Sequence, residues 1–143
     1  MSDQQLIDAL RGMQVFQGFE DRDLRAIANR VEIRELSEPV ELISEGTEGD
    51  EFFLLIKGEA EVRKDGAPLA RLGPGSHFGE LALLDPAPRA ASVSTLGPAT
   101  VGVLNQLRFK MLLDAVPPFA PRMLAALARG LRGRTEPDDS LAW

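Results

Sequence analysis

The sequence predicts a mainly β fold with helices at both ends, and three observations support this prediction. In the middle of the chain, short runs alternate apolar and polar residues, as over 59–63. Turn residues separate these runs, most clearly Asp65-Gly66 and Gly97-Pro98. Towards both ends, the apolar spacing changes to the three- and four-residue intervals of a helix. Many short strands joined by glycine-containing turns are typical of an antiparallel sandwich or barrel.

The individual elements follow from the same periodicities. One helix is predicted over 3–11, and a second begins near Asp21, which we expect to be its N-cap. Two more are predicted over 106–114 and 119–132, divided by Pro117-Pro118. The last of these carries a stripe of apolar residues that we expect to face the core: Met123, Leu124, Leu127 and Leu131.

We therefore divide the chain into four consecutive segments of one domain. An N-terminal helical segment covers 1–30, and the β segment covers 31–105. The C-terminal helices cover 106–134, and 135–143 is predicted to be a disordered tail because it is short, polar and acidic.

Composition excludes several classes of chemistry. The 143 residues include no Cys and one His, so thiolate nucleophiles, disulfides and metal sites built from several His are excluded. The net charge of −6 argues against nonspecific binding of nucleic acid. The sequence begins without a signal-peptide pattern and has no apolar run long enough to insert into a membrane. We therefore expect a cytoplasmic protein that needs no metal or cofactor.

The segment 73–93 contains the residues that point to a ligand. Gly73, Gly75 and Gly79 are spaced one residue too far apart for a dinucleotide-binding loop. Gly79 instead precedes a short helical stretch, whose free backbone N–H groups would attract an anion. Arg89 adds a cation able to bind two phosphate oxygens, and Glu80 adds an acceptor for a sugar hydroxyl. Together these groups predict a small ribose phosphate as the ligand.

This segment also resembles a known motif. The run Phe-Gly-Glu-Leu-Ala-Leu-Leu over 78–84, followed by Pro-Arg-Ala-Ala-Ser-Val over 88–93, is similar to the phosphate-binding cassette of cyclic nucleotide-binding domains. Such domains occur in protein kinase A regulatory subunits and in the catabolite activator protein. Glu45-Gly46, Asp50 and the run over 53–56 leading to Gly58 extend the resemblance. It implies an eight-stranded antiparallel jelly-roll barrel with N-terminal and C-terminal helices, and a cassette over 78–93.

The resemblance also implies roles for individual residues. Glu80 would bind the ribose 2′-hydroxyl, and Arg89 the exocyclic phosphate oxygens. The rest of the implied ligand-binding set is Gly79, Leu81, Ala82, Ala90 and Ala91. Ala90 stands where cGMP-selective relatives often carry Thr. The resemblance therefore implies that Ala at this position favours cAMP. No Thr or Ser in 119–132 is available to hold the base, so a cap is expected from the C-terminal residues instead: Leu127, Leu131, Arg132 and Arg134.

The function predicted on this basis is a non-catalytic cAMP receptor that signals by moving its C-terminal helix to an unidentified downstream protein. That helix is also a candidate homodimer interface. Two alternatives remain open, namely a degenerate domain that serves as a protein-interaction module and a cGMP-selective receptor. A metal-dependent enzyme of the cupin type needs more His than this chain has. A DNA-binding relative needs a further helix-turn-helix, whereas the eleven residues after Arg132 are acidic, so we expect no nucleic acid partner.

Overall fold

A computed structural model of the chain describes residues 1–79 and 88–132, with C-terminal side chains described as far as Ala125. The N-terminal helices are α1 (Asp3–Arg11) and α2 (Asp21–Ala28), with a 3-10 turn at Gln14–Phe16 between them. The C-terminal helices are α3 (Gln106–Ala115) and α4 (Phe119–Arg132). Between the two pairs lie the strands β1 (Glu32–Leu36), β2 (Glu41–Ile43), β3 (Glu51–Lys57), β4 (Ala60–Lys64), β5 (Ala67–Leu72), β6 (His77–Phe78), β7 (Ser92–Thr95) and β8 (Ala99–Asn105).

The strands form two four-stranded antiparallel sheets. The order is β1-β8-β3-β6 in one, which we name the helix-side sheet, and β2-β7-β4-β5 in the other, the outer sheet. The predicted mainly β fold with flanking helices is thus confirmed. The prediction of a closed barrel is wrong, because no strand ladder in the described chain joins the two sheets. Apolar packing between their facing surfaces, rather than continuous hydrogen bonding, holds them together.

Strand β3 is buried on both faces, which explains its uninterrupted apolar sequence. Side chains alternate between the faces of a strand. Phe53 and Leu55 accordingly lie in the core between the two sheets. Phe52 and Leu54 lie in a second core, between the helix-side sheet and the helices. Strand β3 is therefore fixed from both sides, which also fixes the position of its first residue, Glu51.

The second core joins the C-terminal helices to the N-terminal segment through aromatic rings. Phe119, the first residue of α4, makes edge-to-face contacts with Phe19 at 6.1 Å and Phe109 at 5.5 Å between ring centroids. Met123 is buried one turn later, whereas Leu124 is 61% exposed. The predicted stripe on α4 is therefore correct at Met123 and wrong at Leu124, because the described part of the helix buries a narrower face. The side chains of Leu127 and Leu131 lie outside the described residues.

Local sequence signals account for one turn and one helix start. Asp65 and Gly66 have φ values of 53° and 80° and join β4 to β5, as the hairpin prediction required. The predicted N-cap of α2 is wrong by one position, because Asp21 is the first helical residue and Glu20 is the cap. The side chain of Asp23 explains this shift, since it accepts a hydrogen bond from the Glu20 backbone N–H at 3.2 Å.

Gly79 follows β6 directly and brings the chain close to the start of β3. Its φ of +87° lies in the left-handed region, which an L side chain rarely adopts. A Cβ at this position would lie 2.8 Å from the Glu51 carbonyl oxygen and 3.1 Å from Nη1 of Arg89. Both the conformation and the space therefore require glycine, and the close approach positions its own carbonyl next to Arg89.

The effect of this close approach on stability can be measured with two alanine variants. Gly75 also has a positive φ, of +94°, but a Cβ there would meet no atom within 4 Å. Gly75→Ala therefore reports the backbone strain alone. Gly79→Ala is expected to lower the free energy of unfolding by about 1–3 kcal/mol more, the usual effect of an extra carbon in packed surroundings. Urea denaturation measures the free energy of unfolding of both variants. An equal loss of stability in the two would contradict the crowding at Gly79.

Candidate functional site

The site is centred on Arg89, a charged side chain that is only 8% exposed. Its Nη1 donates to the Gly79 carbonyl oxygen at 3.2 Å, and its Nη2 donates to the Glu51 carbonyl oxygen at 2.8 Å. A buried charge is costly unless it is hydrogen-bonded, and these two carbonyls supply such bonds. The guanidinium is therefore held in a defined orientation by the backbone of two strands' ends.

The loop 44–50 between β2 and β3 holds the backbone of Arg89. The Arg89 N–H donates to the Thr47 carbonyl, and the Gly46 N–H donates to the Arg89 carbonyl, both at 2.8 Å. A Cβ on Gly49 would lie 3.2 Å from Nη2 and 3.3 Å from Nε of Arg89, so the loop also passes directly over the guanidinium. Backbone and side chain of Arg89 are thus fixed by the same short loop.

The loop itself is anchored to the outer sheet through Glu45. Its backbone N–H donates to Oγ of Ser92 at 2.9 Å, and its Oε1 accepts from the Asp65 N–H at 3.0 Å. Ser92 begins β7, and Asp65 lies in the hairpin between β4 and β5. Arg89 is thereby connected to both sheets, through Glu51 on one side and through the loop on the other.

Acidic residues flank the loop and strand positions that contact Arg89. Glu48 and Asp50 of the loop are exposed, and Glu51 pairs with Arg34, whose Nη2 lies 2.8 Å from Oε2 of Glu51. Arg34 also hydrogen-bonds Glu32, which raises the pKa of the guanidinium and lowers the pKa of the Glu32 carboxyl. The local positive charge at Arg89 is therefore set in a negative neighbourhood, which suits an anion of low charge better than a polyphosphate.

The predicted site residues fall into two groups. Gly79 and Arg89 are brought together, with Ala90 half-buried beside them. Ala91 is fully buried in the core between the sheets. The remaining predicted residues lie outside the described part of the structure, either entirely or in their side chains: Glu80, Leu81, Ala82, Leu127, Leu131, Arg132 and Arg134.

Sequence reasoning missed the contributions of Gly46, Thr47, Gly49 and Glu51 to the site. Thr47 and Glu51 bind Arg89 through their carbonyl oxygens, and Gly46 binds it through its N–H. Every residue type except proline carries both groups, so these contacts leave no signature in residue identity. Gly49 gives a weak signal, because a glycine marks a place where another group approaches the backbone closely.

Two further findings apply to residues 1–79 and 88–132. No group of three or more His, Asp or Glu side chains there is arranged to hold a metal ion. Nor is any helix in these ranges both long and apolar enough to cross a membrane.

Similarity to known proteins extends well beyond the site. The family model of the cyclic nucleotide-binding domain matches residues 33–115, which include Gly79 and Arg89. The cAMP-dependent protein kinase regulatory subunit of Yarrowia lipolytica is 36% identical over 101 residues, a match that covers 70% of this chain and 27% of that protein. The chain thus spans little more than a quarter of this curated relative.

Solved structures agree on the fold. The N-terminal domain of a transcriptional regulator from Streptomyces coelicolor A3(2) superposes with a TM-score of 0.77 at 29% identity, covering 88% of this chain and 91% of that one. The catabolite activator protein of Thermus thermophilus gives a TM-score of 0.75 at 27% identity, covering 83% of this chain and 58% of that one. The resemblance carried by the cassette is confirmed over most of the β segment, and the chain belongs to the cyclic nucleotide-binding domain family.

Proposed function

We propose that the chain is a non-catalytic cAMP receptor in which Arg89 binds the exocyclic oxygens of the cyclic phosphate. The observation that carries this proposal is a buried guanidinium that the carbonyls of Gly79 and Glu51 orient. A binding group that the protein itself holds in place loses less entropy when it binds a ligand. The names of relatives such as the Yarrowia regulatory subunit support cAMP as the ligand class.

The remaining contacts of the proposed complex follow the family motif. Glu80 accepts a hydrogen bond from the ribose 2′-hydroxyl, and the N–H groups of Ala82 and Ala90 donate to phosphate oxygens. Gly79 and Leu81 line the pocket. A cyclic phosphodiester carries a single negative charge, which one arginine can match within the acidic surroundings formed by Glu48, Asp50 and their neighbours.

The first prediction tests the phosphate contact. Charge-assisted hydrogen bonds contribute about 1.5–3 kcal/mol each, and two are proposed between Arg89 and the phosphate. Arg89→Leu should therefore weaken cAMP binding by at least about a hundredfold, measured by isothermal titration calorimetry. Arg63→Leu is the matched control, because Arg63 is a strand arginine of the outer sheet that pairs with Glu61; its affinity should equal that of the parent.

Folding of the Arg89 variants needs a separate check, because leucine leaves the carbonyls of Gly79 and Glu51 without this donor. Arg89→Lys keeps the positive charge but cannot bind two oxygens in a fork, so its affinity should fall between those of the parent and Arg89→Leu. Thermal unfolding monitored by circular dichroism establishes that each variant is folded. A folded Arg89→Leu that binds cAMP as the parent does would exclude the proposed role of Arg89.

We further propose that the receptor prefers cAMP to cGMP. Ala90 is half-buried next to Arg89 and has no hydroxyl for the guanine amino group. Ala90→Thr should therefore narrow the difference between the two affinities by about 1 kcal/mol, the net value of one hydrogen bond. Competition of each nucleotide against a fluorescent cAMP analogue measures the difference. A parent protein that already favours cGMP would identify the alternative, a cGMP-selective receptor.

The proposed signal is a change in the position of α4. Phe119 and Met123 anchor the start of this helix in the core, while the rest leads to the residues expected to cap the base: Leu127, Leu131, Arg132 and Arg134. A ligand can shift the helix only if it binds one position more tightly than another. Contact between the base and a leucine of α4 supplies such a difference, and the moved helix then presents a changed surface to a downstream protein or to a second copy of the chain.

Amide hydrogen exchange tests this proposal directly. Saturating cAMP should slow exchange in 119–132 as well as in the cassette over 78–93, because the base would hold the helix against the sheet. Helix α1 (Asp3–Arg11) provides an internal control and should exchange at the same rate with and without ligand. Protection of the cassette alone would mean that cAMP binding does not change the position of α4, which would contradict the proposed signal.

A further inference from the structure

A salt bridge on the helix-side sheet connects to Arg89 through one residue. Nη2 of Arg34 in β1 lies 2.8 Å from Oε2 of Glu51 in β3, and each side chain is 35% exposed. Strand β8 lies between these two strands, so the pair reaches across β8. Arg34 also pairs with Glu32 on its own strand, at 3.2 Å.

Glu51 therefore makes two ionic or charge-assisted contacts at once. Its carboxylate binds Arg34, and its carbonyl oxygen accepts the 2.8 Å hydrogen bond from Nη2 of Arg89. It is also the first residue of β3, directly after the exposed end of the loop 44–50. The end of a strand is where local opening begins, so a side-chain anchor at this position restrains the peptide unit that orients Arg89.

We propose that Arg34 and Glu51 form a positioning pair that holds the Glu51 carbonyl, and through it the guanidinium of Arg89, in the orientation that binds the ligand phosphate. This inference rests on the proposed cAMP receptor function. Neither side chain needs to touch the ligand. Loss of the pair frees the first residue of β3, Arg89 gains alternative orientations, and the ligand must then order it on binding.

A simple effect of charge on the phosphate predicts a different pattern. Removing Arg34 takes away a positive charge and weakens binding in both accounts. Removing Glu51 takes away a negative charge near the phosphate, which by charge alone would strengthen cAMP binding. If the pair positions Arg89, removing Glu51 should instead weaken cAMP binding. The Glu51 variant therefore distinguishes the two explanations.

The experiment measures cAMP affinity by calorimetry in the full chain for Arg34→Met, Glu51→Leu and Arg34→Lys. The first two should each weaken binding about threefold to fivefold, the upper range for a partly exposed ion pair. Arg34→Lys keeps a charge within reach of Glu51 and should recover most of the affinity. Arg63→Met and Glu61→Leu remove a matched ion pair of 2.8 Å on β4 and should leave the affinity unchanged.

A double-mutant cycle with Arg89→Leu distinguishes positioning from a general structural effect. In that background there is no guanidinium to orient, so Arg34→Met should cause no further loss of affinity. An equal loss in both backgrounds, tighter binding by Glu51→Leu, or affinities like those of the Arg63 and Glu61 controls would each overturn the inference. If the parent itself fails to bind cAMP, the proposed function fails first, and the two failures are therefore distinguishable.

Discussion

The site depends on the burial of the Arg89 guanidinium and on two backbone carbonyls that orient it. Arg89 is bound by the carbonyl of Glu51, the first residue of β3, and by the carbonyl of Gly79, which directly follows β6. Both strands belong to the helix-side sheet. These carbonyl dipoles orient the guanidinium, to which we assign the binding of an anion.

The rest of the fold brings these carbonyls to fixed positions. Strand β3 is packed on one face against the helices and on the other against the outer sheet, so its first residue is held by two cores. Strand β6 pairs with β3 at the edge of the sheet, with Phe53 opposite Phe78, and thereby carries Gly79 to the start of β3. The positive φ of Gly79 then turns its carbonyl towards Arg89. A short, otherwise minor edge strand thus determines where the buried charge can be bound.

Much of the fold and the central residues of the site could be predicted, because side-chain patterns encode them. Alternation revealed the strands, Asp65-Gly66 marked a hairpin, and the cassette identified Gly79 and Arg89. Sheet closure could not be predicted, because it depends on which strand edges pair and not on which faces are apolar. The prediction that Leu124 faces the core was wrong, because an apolar stripe indicates which side of a helix is buried but not how wide the buried face is. The loop contacts of Gly46, Thr47 and Gly49 escaped prediction because most of them are made by backbone groups.

The central claim is that this buried arginine binds the phosphate of a cyclic nucleotide. The most direct test is a calorimetric titration of the parent chain with cAMP and, in parallel, with adenosine, which has the same base and sugar but no phosphate. The account predicts saturable binding of one cAMP per chain at micromolar or lower concentration, and adenosine at least about a hundredfold weaker. Equal affinity for the two compounds, or no saturation by cAMP, would contradict it.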